Sequence, residues 1–165
     1  MSAGSAIVTR HEPSSAATMW VPVGAVLFMV ALAGSAIVVP QLRLLHVLQA
    51  LIYVAVAIFG RGGSTLAFGA AITMAAFWKA LQLFITHNME KGLVLFWLFL
   101  RSGHARQLDT MIVPLGGVAH FILIAACTCA FLEQEKGRKK WWKLLAGGVI
   151  VMAYFALIVA LALPR

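Results

Sequence analysis

Residues 44–86 read LLHVLQALIYVAVAIFG, then RGG, then STLAFGAAITMAAFWKALQLFIT. The two apolar runs, 44–60 and 64–86, are close to the roughly 20 residues a helix needs to cross hydrocarbon. A link as short and glycine-rich as Arg61-Gly62-Gly63 turns the second helix back beside the first. The stretch therefore predicts an antiparallel pair of spanning helices, and it sets the fold class for the chain around it.

Three further runs of the same kind flank this hairpin, at 19–39, 110–132 and 144–163. Pro40 ends the first. The expected fold is an all-α integral membrane bundle of five spans, forming one membrane domain over 18–165 behind a polar Ser/Ala-rich tail at 1–17. An Ala31-Leu32-Ala33 site also fits a cleavable signal peptide, but the apolar run is too long and its positive flank too weak, so the first helix is expected to stay. Residues 92–100 are nine, rich in Leu, Phe and Trp. At about 1.5 Å per residue they cover less than half the hydrocarbon core, which predicts a short interfacial helix between the third and fourth spans.

Composition agrees. Of the 165 residues, 62% are apolar and 11% charged, with a mean hydropathy of +0.96; soluble domains run at roughly 45–50% and 25%. So few charges cannot coat a small water-soluble globule. The net charge of +8 sits beside apolar runs, where basic residues set topology or meet anionic headgroups, so nucleic acid is not expected as a partner. With five spans, the basic cluster of the 133–143 loop is expected on the cytoplasmic side, with Trp141 and Trp142 in the interfacial belt. Cys127 and Cys129 point about 200° apart on a helix and cannot bridge.

With lipid as solvent, the informative residues are the polar ones inside the spans. His46, Gln49 and Tyr53 fall on one face of the second, and Lys79, Gln82 and Thr86 repeat the spacing on the third. Beside the latter, Gly69, Thr73, Ala76 and Ala80 form a strip of small residues that admits a close neighbour. On the fourth, Asp109, Gly116, His120 and Cys127 lie near one line, and Pro114 is expected to kink the entry. The antiparallel order gathers His46, His87, His104, Arg106 and Asp109 at one boundary and sets Tyr53, Lys79 and His120 at similar depth. This predicts a polar intramembrane cavity. Its candidate catalytic groups are Lys79, His120, Asp109 and Tyr53, working as acid and base. His46, Gln49, Gln82 and His87 are its candidate ligand-binding groups.

Each residue also has a plainer role. Lys79 can snorkel, His120 can make one interhelical hydrogen bond, and Tyr53 can pack as an aromatic with a satisfied hydroxyl. No HExxH, CxxC or His-x-His pattern predicts a metal. The cofactor is left unassigned by the sequence, and one haem is the most its histidines allow. No nucleophile elbow, phosphate loop or dinucleotide fingerprint occurs. Two functions follow: binding of a lipophilic small molecule in the cavity, with or without acid–base catalysis, and a non-catalytic accessory subunit whose polar and small-residue stripes meet a membrane-protein partner. Homo- or hetero-oligomers suit either. Transport is weaker, for want of a repeat or a broken helix pair.

Overall fold

The computed structural model describes residues 16–103, 109–134 and 139–162, with the side chains of Asp109, Thr110 and Lys139 outside that description. The expectations on most of the N-terminal tail, on His104 and Arg106, on the Asp109 carboxylate and on most of the 133–143 charges therefore lie outside the described residues. The described chain forms helices α1 (Ala16–Val38), α2 (Arg43–Arg61), α3 (Thr65–Ala80), α4 (Asn88–Ser102), α5 (Asp109–Glu133) and α6 (Lys139–Ala162). A 3-10 turn at Pro40–Leu42 leads into α2, and a π-helical segment, Leu81–Ile85, extends α3. Among the described residues there is no strand. Five segments are long and apolar enough to cross a bilayer: Ala16–Val38, Pro40–Arg61, Thr65–Ile85, Met111–Glu133 and Lys140–Ala162. They are the five runs read from the sequence.

Glycine sets how the helices meet. A Cβ on Gly24 of α1 would come within 2.8 Å of the Leu123 side chain on α5, and one on Gly34 within 3.1 Å of Ile112. Rising numbers on α1 thus meet falling numbers on α5, and the two run antiparallel. On α3, Gly69 lies against the Leu144 carbonyl, and on α6, Gly147 lies against that of Leu66. Backbones in such contact leave no room for a side chain, the role small residues play between helices where water does not drive packing. Gly69 and Thr73 of the small-residue strip do meet α6, with Thr73 beside Gly148; Ala76 and Ala80 are exposed.

The two ends of the bundle follow. At one, which carries Arg61, Gln134 at the end of α5 donates to the Gly63 carbonyl over 2.6 Å and accepts from Thr65 Oγ over 2.8 Å. The ring of Phe131 also meets that of Trp141 edge-on at 4.8 Å. The opposite end carries Arg43, the π-helical segment and the starts of α4 and α5.

Two boundaries and one polar face differ from the sequence reading. The short helix is 15 residues, not nine. Glu90 in its first turn suits the positive end of the helix dipole, and Gly103, at φ 66°, closes it with a left-handed cap bonded to Phe99. At about 1.5 Å per residue it still measures only about 22 Å, and it seats Gly92 against Val113 of α5. The last helix begins at Lys139, so Trp141, Trp142 and Lys143 belong to its first turns rather than to a link. The polar line on the third run is bent by the π-helical segment, where Thr86 turns inward to bond the Leu81 carbonyl instead of continuing the face of Lys79 and Gln82. Pro114 lies within an unbroken α5.

Candidate functional site

The face of α2 that carries His46, Gln49 and Tyr53 is buried throughout, at 7%, 0% and 0% exposure. It is covered by α1 and α5. Gly24 lets α1 approach α5 closely, and one turn further on Phe28 lies over the imidazole of His120, with ring centroids 3.8 Å apart and planes 26° apart. Gly116, one turn before His120, leaves space for the Phe28 ring edge. The same Phe28 ring touches Tyr53 at 4.5 Å. Under this aromatic cover the Tyr53 hydroxyl and His120 Nε2 share a hydrogen bond of 2.9 Å between α2 and α5. His120 is itself fully buried. The sequence placed both residues at similar depth, and the structure joins them. It gave no sign of Phe28; the only available signal was the Gly24-to-Phe28 spacing on α1.

Several buried polar atoms here have no hydrogen-bond partner: His46 Nδ1, both polar atoms of the Gln49 amide and His120 Nδ1. Gln49 lies one turn before Tyr53 with its side chain in contact with the hydroxyl, in a geometry that leaves Nε2 and Oε1 short of a well-formed hydrogen bond. Leaving a buried polar group unpaired costs about 1–3 kcal/mol, and three neighbouring side chains share that condition. His46 to Tyr53 is seven residues, about 10 Å along the helix, so the orphaned groups form a polar seam leading inward from the Arg43 end.

The Tyr53–His120 bond admits two proton arrangements. When the phenol donates to Nε2, the free His120 Nδ1 carries a proton and is a donor. When Nε2–H donates to the phenol oxygen, Nδ1 is an acceptor and the phenol proton is free to turn toward the Gln49 oxygen. The pair can therefore present either polarity to a third group.

Lys79 is buried, at 7% exposure. Its ammonium donates to Gln82 Oε1 over 2.7 Å and stands 5.8 Å from the centre of the Phe121 ring, near the open side of Gly117. It thus reaches α5 at the level of His120, but pairs with its own helix rather than with the Tyr53–His120 bond. His87 is exposed, at the junction before α4, in a left-handed conformation with φ 53°. It stands apart from the buried seam. Among the described residues no three His, Cys, Asp or Glu side chains assemble as a metal-binding group.

An apolar groove of about 570 Å³ opens elsewhere, between α2, α3 and α6, lined by residues such as Ile52, Val56, Phe59, Ala67, Ile150 and Tyr154. Tyr154 marks its inner end and donates to the Leu48 carbonyl over 3.0 Å. The chain matches no family model, no curated protein and no solved structure, and its function is read from these residues.

Proposed function

We propose that this protein is a multi-pass membrane protein that holds the polar end of a lipophilic small molecule against the buried seam of His46, Gln49, Tyr53 and His120. The observation that carries the reading is the Gln49 amide, fully buried with only a poorly aligned contact to the Tyr53 hydroxyl and no well-formed hydrogen bond at either polar atom. An apolar bundle keeps such a group at a cost, and a ligand bearing one acceptor and one donor removes it. His120 Nδ1 supplies a third contact of either polarity, so the Tyr53–His120 pair can exchange a proton with a bound carbonyl or hydroxyl. Catalysis of that kind places His120 and Tyr53 at the chemistry and gives Lys79 an electrostatic role from α3, its ammonium lying near Gly117 and Phe121 of α5.

Membrane residence is supported by five helices of sufficient length and apolarity and by the exposed apolar side chains along them, such as Val30, Leu51, Phe121 and Leu157. The bilayer boundary at the Arg43 end is the natural place for α4, which is too short to cross and exposes Leu93, Trp97 and Leu100. The basic Arg61 end takes the cytoplasmic side.

The test is extraction in mild detergent, followed by native mass and absorption spectra of wild type and Gln49→Leu. The expected result is a small-molecule mass on the wild type that the variant lacks, both being equally helical. A wild type without such a mass, or a variant that keeps it, overturns the reading. One observation favours a second function. Ala76 and Ala80 are exposed beside the π-helical segment, an open strip where a partner's helix can approach. Protein chains co-purifying at fixed stoichiometry would make this a subunit of a larger complex.

A further inference from the structure

The apolar groove and the basic Arg61 end adjoin one another. The groove runs from Tyr154 to Phe59 and Ser64, and two residues beyond Phe59 stands Arg61, exposed in the last turn of α2. Lys140 and Lys143 occupy the first turns of α6 at this same end, fixed there by the Phe131–Trp141 contact and the Gln134 clamp. The Lys140 ammonium is buried and meets no hydrogen-bond partner among the described residues. Among the described side chains, this end carries Arg61, Lys140 and Lys143 against Glu133. An apolar slot of about 570 Å³, within the roughly 300–1,000 Å³ range of ligand sites, thus runs toward the end of the bundle that carries these cations.

We propose that this groove is a binding site for an anionic phospholipid, with one acyl chain lying between α2, α3 and α6 and the headgroup phosphate held by Lys140, with Arg61 and Lys143 beside it. Charge complementarity selects this occupant. A neutral lipophile would use the slot and leave the Lys140 amine bare, whereas a phosphate satisfies it and is drawn by the neighbouring cations. Trp141 and Trp142, both exposed on the same turns, sit where indole rings meet headgroups. The site is separate from the seam at His120 and does not depend on it.

The experiment is native mass spectrometry of the full chain in detergent, titrated with phosphatidylglycerol or phosphatidylcholine of identical acyl chains. The wild type is expected to retain one phosphatidylglycerol at least fivefold better than phosphatidylcholine. Lys140→Gln with Arg61→Gln should reduce that preference to near unity, and Lys140→Arg should preserve it. Ala55→Trp, which fills the groove from an exposed position without entering the core, should abolish retention of both lipids. Equal retention of the two lipids by the wild type, an unchanged preference in the double variant, or undiminished binding to Ala55→Trp would each overturn the proposal. Circular dichroism and monodispersity verify that the variants fold.

Discussion

At the scale of single residues, the seam on α2 sets stability against binding. Gln49 is fully buried with only a poorly aligned contact to the Tyr53 hydroxyl, so Gln49→Leu should stabilise the free protein by about 1 kcal/mol while removing ligand retention. A thermal melt in detergent with and without host lipid extract reads both effects. A lower melting temperature for Gln49→Leu would mean that the amide is already satisfied by the protein. Tyr53→Phe acts in the opposite sense. It removes one side of a buried 2.9 Å bond and strands His120 Nε2, for an expected loss of about 1–3 kcal/mol. In a double-mutant cycle with His120→Phe the two changes should fail to add by about 1 kcal/mol, and additive losses would show that the bond contributes nothing. His46, Gln49, Tyr53 and His120 were legible in the sequence because a polar side chain inside an apolar run is conspicuous and helical spacing gives its face. Phe28 was not legible, since a phenylalanine in such a run looks the same whether it meets lipid or an imidazole.

At the scale of elements, two kinds of contact hold the helices in register. Between α3 and α6 the carbonyls of Leu66 and Leu144 occupy the space that side chains on Gly147 and Gly69 would need. Gly147→Val must push the two helices apart, and an overpacked contact of this kind costs about 1–3 kcal/mol or more. The loss should appear as a lower melting temperature and faster proteolysis at the α3–α6 pair, while Gly103→Asn, at a left-handed cap with open space around it, should change little. At the Arg61 end, Gln134 joins α5 to the α2–α3 turn by two hydrogen bonds. The sequence showed five runs because length and apolarity are local properties. It did not show that Leu81–Ile85 widens into a π-helical segment or that α4 starts at Asn88. The start of α4 goes with its packing on α5, through contacts such as Gly92 on Val113, and composition alone carries no trace of either feature.

At the scale of the whole molecule, the arrangement commits the chain to a topology that turns on α4. If α4 crossed the membrane, α5 would begin at the Arg61 end and run parallel to α1. The contacts of Gly34 with Ile112 and Gly24 with Leu123 require the reverse. Entry and exit of α4 therefore lie at one end of the bundle, together with the α1–α2 turn, and the α2–α3 turn and the end of α5 lie at the other. Of the native thiols, Cys127 is buried and Cys129 is exposed on α5, so both are replaced with Ala to give a clean background. In sealed vesicles of known orientation, Gln41→Cys, Lys91→Cys and Gly103→Cys should react with an impermeant maleimide from one side. Arg61→Cys and Glu133→Cys should react only from the other, the side proposed above to be cytoplasmic. Reaction of Gly103→Cys together with Arg61→Cys would show that α4 spans, reverse α5 and α6, and separate His120 from Tyr53, so the same labelling that fixes the topology also decides whether the buried seam can exist in the membrane.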